Sequence, residues 1–229
     1  MTSLARRSFA EEQMDAAELP PAVYDQVLRD LSRVNRWTLA ARPTLEFLDR
    51  AVGPRRSFSL LDVGFGSGDM LREIADWARR RDKEARLVGV DLNPKSVAVA
   101  RALTPTELPI DYRTGDYTDQ PEPFDFVVSS LVAHHMTPGQ LRAFLRHMER
   151  TARLGWFVND LHRRYLPHRG YPLLARMLGA HRIVREDGTL SIARSFRADE
   201  WRAILADAGV HGARVGRRFP YRLCVERLR

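Results

Sequence analysis

Cysteine is almost missing: Cys224 is the sole one among 229 residues. No disulfide can form within the chain and no cysteine cage for a metal can be built, so a reducing, cytoplasmic setting is expected. Lysine is scarce too. Only Lys83 and Lys95 occur, and arginines supply the rest of the cations behind a net charge of +8. They are scattered from Arg6 to Arg229 among acids, and even Arg79-Arg80-Arg81 is followed by Asp82 and Glu84. Nucleic acid is bound by clustered cations, so a surplus this dispersed argues for solubility rather than for a phosphate-backbone partner. Nor does any apolar run approach the roughly eighteen residues of a membrane span, and residues 1–21 lack the apolar centre of a signal peptide. Repeats, low-complexity tracts and Gly/Ser linkers are absent as well, which leaves one large folding unit as the natural reading at this length.

What is present is a regular alternation. Two helical stretches, 22–36 and 42–52, come first; Val23, Val27, Leu28, Leu31 and Val34 mark the buried side of the first, and Pro43 suits the opening turn of the second. From Ser57 onward, short apolar strands at 57–65, 85–92, 110–117, 124–131 and 154–161 are separated by amphipathic helices at 69–82, 94–102 and 138–151, the mark of βαβ units and a parallel sheet. A helix at 198–208 and strands at 211–217 and 220–228 complete it with an antiparallel edge. The expected organisation is a cap (1–56), a ligand-binding core (57–161), a lid insertion after the fifth strand (162–197) and a C-terminal helix with edge strands (198–229). Within the insertion the pattern predicts a helix at 171–178 and a turn at Asp187-Gly188.

The strongest chemical signal is Leu60-Leu61-Asp62-Val63-Gly64-Phe65-Gly66-Ser67-Gly68-Asp69, a buried strand that ends in a Gly-x-Gly-x-Gly turn and opens a helix. The turn is one residue shorter than the Gly-x-Gly-x-x-Gly that seats a dinucleotide pyrophosphate, and Asp62 and Asp69 bracket it with charge that repels phosphate. A cationic ligand suits it better. The second strand ends in Asp91-Leu92-Asn93-Pro94, where a carboxylate can take both hydroxyls of a ribose or, alternatively, cap the helix that Pro94 begins. After the fourth strand come His134 and His135, imidazoles fit for proton transfer or for packing. After the fifth come Asn159, Asp160 and His162, which suit a hydroxyl-bearing substrate or a capped turn. No zinc spacing and no Gly-x-Ser-x-Gly elbow is found.

The glycine turn with its acids resembles the first motif of class I S-adenosylmethionine-dependent methyltransferases, and residues 57–161 follow that family's layout. The resemblance implies an α/β, Rossmann-like, doubly wound, mostly parallel seven-stranded sheet with S-adenosylmethionine as cofactor. It implies that Asp62, Gly64, Gly66 and Gly68 form the cofactor turn, that Phe65, unusual where a small residue is commoner, narrows the methionine pocket, and that Asp91 takes the ribose. By the same resemblance Leu92 is expected to pack on the adenine, Asp116 with Tyr117 to reach its amino group and ring, and Ser129 to lie under the cofactor; Arg36, at the polar-aromatic end of the cap helix, is placed to meet the cofactor carboxylate or simply to be solvated. His134 is placed inward as the proton acceptor, with His135 second.

The cap ending in Asn35-Arg36-Trp37, the paired histidines and the run Val158-Asn159-Asp160-Leu161-His162 look like bacterial O-methyltransferases of phenolic, quinone or polyketide products. Tyr165, Tyr171, Leu173, Leu174, Met177 and Leu178 are then expected to form an apolar wall for the acceptor, or else ordinary core. Carbon methylation of a quinone precursor, methylation of RNA or protein, and cofactor binding without catalysis remain the other readings. The Asn/Asp-Pro-Pro-aromatic motif that grips a planar amino group is absent after the fourth strand. Oligomeric state stays open.

Overall fold

The computed structural model describes residues 4–16, 18–120 and 123–229. Five parallel strands are laid down in the order that the alternation predicts: β1 (Ser57–Val63), β2 (Glu84–Asp91), β3 (Ile110–Thr114), β4 (Phe124–Ser130) and β5 (Ala152–Leu161). With β6 (Arg214–Arg218) and β7 (Arg222–Leu228) they form one seven-stranded sheet in the order β3-β2-β1-β4-β5-β7-β6, where β7 runs antiparallel to β5 and β6. The winding reverses between β1 and β4, so the carboxyl ends of those two strands flank the crevice where such sheets bind ligands.

Helices cover both faces because strand residues alternate between them. On one face Leu61, Val63, Val127, Trp156 and Val158 pack against α5 (Pro138–Thr151) and α8 (Ala198–Asp207). On the other, Leu60, Phe126, Val128 and Phe157 meet α2 (Arg42–Val52) and α3 (Asp69–Arg80). There Phe47 stacks on Phe157 with ring centroids 4.8 Å apart. Each such side chain contributes roughly 1.5–3 kcal/mol on burial. Asn93 caps α4 (Pro94–Leu103) by accepting the Lys95 N–H at 3.0 Å, which leaves Asp91 free of the capping role.

A third layer sits over the carboxyl ends. α1 (Pro21–Trp37) packs through Val27 and Val34 against Ala175, Ile183 and Val184 of α6 (Tyr165–Met177) and α7 (Arg182–Arg194). The insertion after β5 is thus two helices, and two expectations need correction. α6 starts six residues earlier than the pattern predicts, because Pro167 lies in its first turn, where a missing N–H is harmless, and Pro172 is carried within it. Asp187-Gly188 is not a turn but the middle of α7. A Cβ on Gly188 would stand 2.2 Å from the Tyr171 ring, so glycine serves helix–helix contact, while Asp187 accepts the N–H groups of Gln13 and Met14 at 3.0 and 2.9 Å. Both residues answer to partners far away in sequence, which local turn propensity does not register.

Candidate active site

β1 delivers the glycine turn to the crevice. Gly64, Gly66 and Gly68 have φ of +78°, +54° and +75°, the left-handed region that side chains disfavour. Space matters as well: a Cβ on Gly64 would meet Val132 at 2.4 Å, and one on Gly68 the Tyr112 hydroxyl at 2.4 Å, whereas Gly66 faces nothing nearer than 3.8 Å and borders the cavity. Asp91 reaches across from β2 and accepts the Gly66 N–H at 2.9 Å, with the Asn93 N–H on its other oxygen at 2.8 Å. One carboxylate therefore fixes the turn while facing the cavity.

Asp62 is 1% exposed, and neither of its oxygens has a hydrogen-bond partner. Burial, with the charges of Asp69 and Asp91 adding, pushes its carboxyl up to about 8. A buried acid without a donor beside a cradle of glycines is the arrangement that a cationic ligand relieves, so the residues present fit S-adenosylmethionine. Leu92 lies 72% exposed on the cavity wall next to Asp91, an apolar face offered to a ring. Tyr117 also lines the cavity, edge-on to Phe144 at 4.9 Å.

Other expected cofactor contacts are placed differently. The Phe65 ring sits over Gly89 and tilts on Tyr112 at 4.9 Å, filling core space that Gly89 leaves, while the residue borders the cavity from that buried position. Asp116 does not border the cavity; it caps a short turn by accepting the N–H and hydroxyl of Thr118, both at 2.8 Å. Ser129 is buried and donates to the Val63 carbonyl at 3.0 Å, tying β4 to β1, and Ser130 and Leu131 border the cavity in its place. Strand alternation puts successive residues on opposite faces, so a one-residue error exchanges a lining group for a tie.

The segment after β4 turns through Leu131, at φ +62°, and presents His134 and His135 to the cavity. His134 is 2% exposed; its Nδ1 lies 2.7 Å from Asp160, which also accepts the His134 backbone N–H at 2.8 Å. Burial pushes Asp160 up, yet His134, the Leu161 N–H and His135 outweigh it, so Asp160 stays a carboxylate below the usual range. With Nδ1 committed to Asp160, Nε2 faces Glu12 at 3.7 Å. His135 bonds Asp15 at 3.0 Å. Burial opposes its charge, but Asp15 and Glu12 prevail and lift it above the ordinary histidine range. Arg7 and Arg194 hold the carbonyls of this loop.

Asp160 therefore touches the catalytic candidate rather than the cavity. Asn159, fully buried, donates to the Ala40 carbonyl at 2.7 Å and the Thr44 hydroxyl at 3.1 Å, clamping the cap to β5. Truncating it to alanine is expected to cost about 1–3 kcal/mol of stability by orphaning those partners, with affinity for the acceptor unchanged; a shift in that affinity would return Asn159 to the substrate's contacts. His162 borders the cavity and is pushed down to about 4 by burial and the surrounding Arg164, Arg217 and Arg197.

The cavity holds about 1910 Å³. Arg36, His162, Tyr171 and Leu174 line it, but Tyr165, Leu173 and Met177 point to solvent at 50%, 64% and 76% exposure. The apolar wall predicted for α6 is thus divided by the helix into an inner and an outer face. Sequence reasoning missed Glu12, Asp15, Arg194 and Arg222, all but Arg194 lining residues. No motif marks them; Arg222 alone had a signal, as a charge opening an apolar strand.

Residues 60–155 match the family described as methyltransferase domain. Among solved structures, the fold is similar to magnesium protoporphyrin IX methyltransferase from Synechocystis PCC 6803 with bound S-adenosylmethionine, at 16% identity over 95% of this chain and 88% of that one, TM-score 0.55. It is similar also to a methyltransferase from Aquifex aeolicus, at 18% identity over 91% and 98%, TM-score 0.60. A third is a putative O-methyltransferase from Nostoc punctiforme PCC 73102, at 14% over 97% and 64%, TM-score 0.65. No curated protein sequence matches the chain. The matched segment is a methyltransferase domain, and the chain carries it on the Rossmann-like fold of class I, S-adenosylmethionine-dependent methyltransferases.

Proposed function

We propose that the enzyme methylates an oxygen of a small, lipophilic aromatic acceptor of phenol, quinone or polyketide type. The observation that carries this reading is the buried pair His134–Asp160 at 2.7 Å on the cavity wall: a phenol must lose its proton to act as a nucleophile, and an imidazole anchored by a carboxylate is built to take it. The apolar inner faces of α1 and α6 suit an acceptor of that class.

In this reading the glycine turn, Asp62 and Asp91 hold S-adenosylmethionine, with Leu92 and Tyr117 at its adenine end and Arg36 near its carboxylate. When bound, that group supplies an electrophilic methyl on a sulfonium. The chain's own residues do the rest. Nε2 of His134 accepts the acceptor's hydroxyl proton, and Asp160 stabilises the imidazolium so formed. Tyr171 and His162 border the acceptor, and the lid with residues 12–15 excludes water. His135, bonded to Asp15, holds that segment over the site.

Glu12, His134 and His135 also place one ligand atom each within 4.8 Å of one another, a spacing that a divalent ion bridges. Arg194, 3.7 Å from the same Glu12 carboxylate, competes for it. Turnover is therefore expected to be indifferent to a chelator, and activity lost with EDTA and restored by a divalent cation would reassign the cluster to metal binding.

The test is calorimetry with S-adenosylhomocysteine followed by turnover with a panel of phenols and quinols, the product read by nuclear magnetic resonance. A methoxy signal is expected. A new ring methyl would make the enzyme a C-methyltransferase, and cofactor binding without turnover on any acceptor would favour a binding module.

A further inference from the structure

From Leu161 to Arg185, and again from Ala208 to Val225, the chain has no acidic residue. Both stretches come together at the cavity mouth, the first as α6 and the second as the β6–β7 hairpin. Between them lies a groove of about 410 Å³ bordered by His162, Arg164, Arg217 and Arg218. Arg164, Arg169, Arg176 and Arg217 have no carboxylate partner among the described residues.

Beside these cations stands an apolar ridge. Tyr165, Arg169, Leu173 and Met177 follow at four-residue steps, one row along the outer face of α6, with Arg169 lying 4.6 Å from the Tyr165 ring. Leu166 is 66% and Phe219 71% exposed, and both also border the main cavity, which places the ridge on its rim. Exposed apolar side chains gathered this way are rare on a surface that meets only water. A nucleic acid would account for the arginines and not for the ridge.

We infer that α6 and the β6–β7 hairpin dock the enzyme on an anionic lipid surface. Leu173, Met177 and Phe219 enter the boundary between headgroups and acyl chains, and the arginine groove takes a lipid phosphate. This arrangement sets the cavity mouth against the bilayer, where a lipophilic acceptor is dissolved. That supply route rests on the acceptor class proposed above. Docking does not, and it is measured without acceptor.

The experiment is co-sedimentation of the full chain with vesicles of phosphatidylcholine alone or mixed with phosphatidylglycerol. Binding is expected only to the mixed vesicles and should weaken as salt rises. The pair Leu173→Ser with Met177→Ser is expected to reduce it by roughly tenfold, and the pair Arg217→Gln with Arg218→Gln to remove the preference for anionic lipid. Calorimetry with S-adenosylhomocysteine, unchanged in both variants, verifies that they fold. Absence of binding, equal binding to neutral vesicles, or serine variants that bind like the parent would overturn the inference. So would a parent dimer in light scattering that the serine variants dissociate, since the ridge would then be covered by a second copy.

Discussion

Replacing His134 with alanine is expected to lower kcat by about 10²- to 10⁴-fold, the range a positioned base contributes, while affinity for S-adenosylhomocysteine stays at the parent value. The glycine turn follows β1 and Asp91 ends β2, whereas His134 is held from β5 by Asp160, so the two functions separate. Comparing parent and variant across pH separates loss of a base from loss of packing, since packing alone would leave the shape of the profile unchanged. Asp160→Asn distinguishes orientation from simple packing: the amide fills the same space but cannot stabilise an imidazolium, so kcat should fall with little change in KM. An unchanged rate and pH profile in His134→Ala would leave alignment of the reactants as the source of rate and remove the base from the mechanism.

Asp62→Asn is expected to make the ligand-free enzyme more stable and the cofactor weaker. The folded state holds the Asp62 proton up to about pH 8, whereas the unfolded chain releases it in the ordinary carboxylate range. The contribution of Asp62 to stability is therefore greatest below that range and declines as pH rises through it toward 8. By linkage the cost at pH 7 is on the order of 4 kcal/mol. A neutral amide avoids most of it, and Tm should rise by several degrees, at roughly 2–4 °C per kcal/mol for a chain of this size. The same substitution removes the charge that meets a cationic ligand. Affinity of the parent for S-adenosylmethionine should climb with pH to about 8, and that of the variant should be lower and flat. A lower Tm with unaltered affinity would make Asp62 a structural residue only.

The sequence by itself determined the sheet, its crossover helices and the ligand-binding turn, because each is written in local terms. Strand and helix periods differ, and three glycines bounded by Asp62 and Asp69 admit few backbones and few ligands. His134 and Asp91 were legible for the same reason, as polar residues at the carboxyl ends of apolar strands.

Tertiary structure alone decided what those residues touch. Asp160 belongs to His134 and Asn159 to the cap, although both sit in one strand, since alternate strand residues serve opposite faces. Gly188 lies inside a helix because Tyr171 needs its missing Cβ. Glu12 and Asp15 reach the histidines from more than a hundred residues away, with no motif to announce them. Contacts of that range are fixed by packing of the whole chain, and no local pattern encodes them.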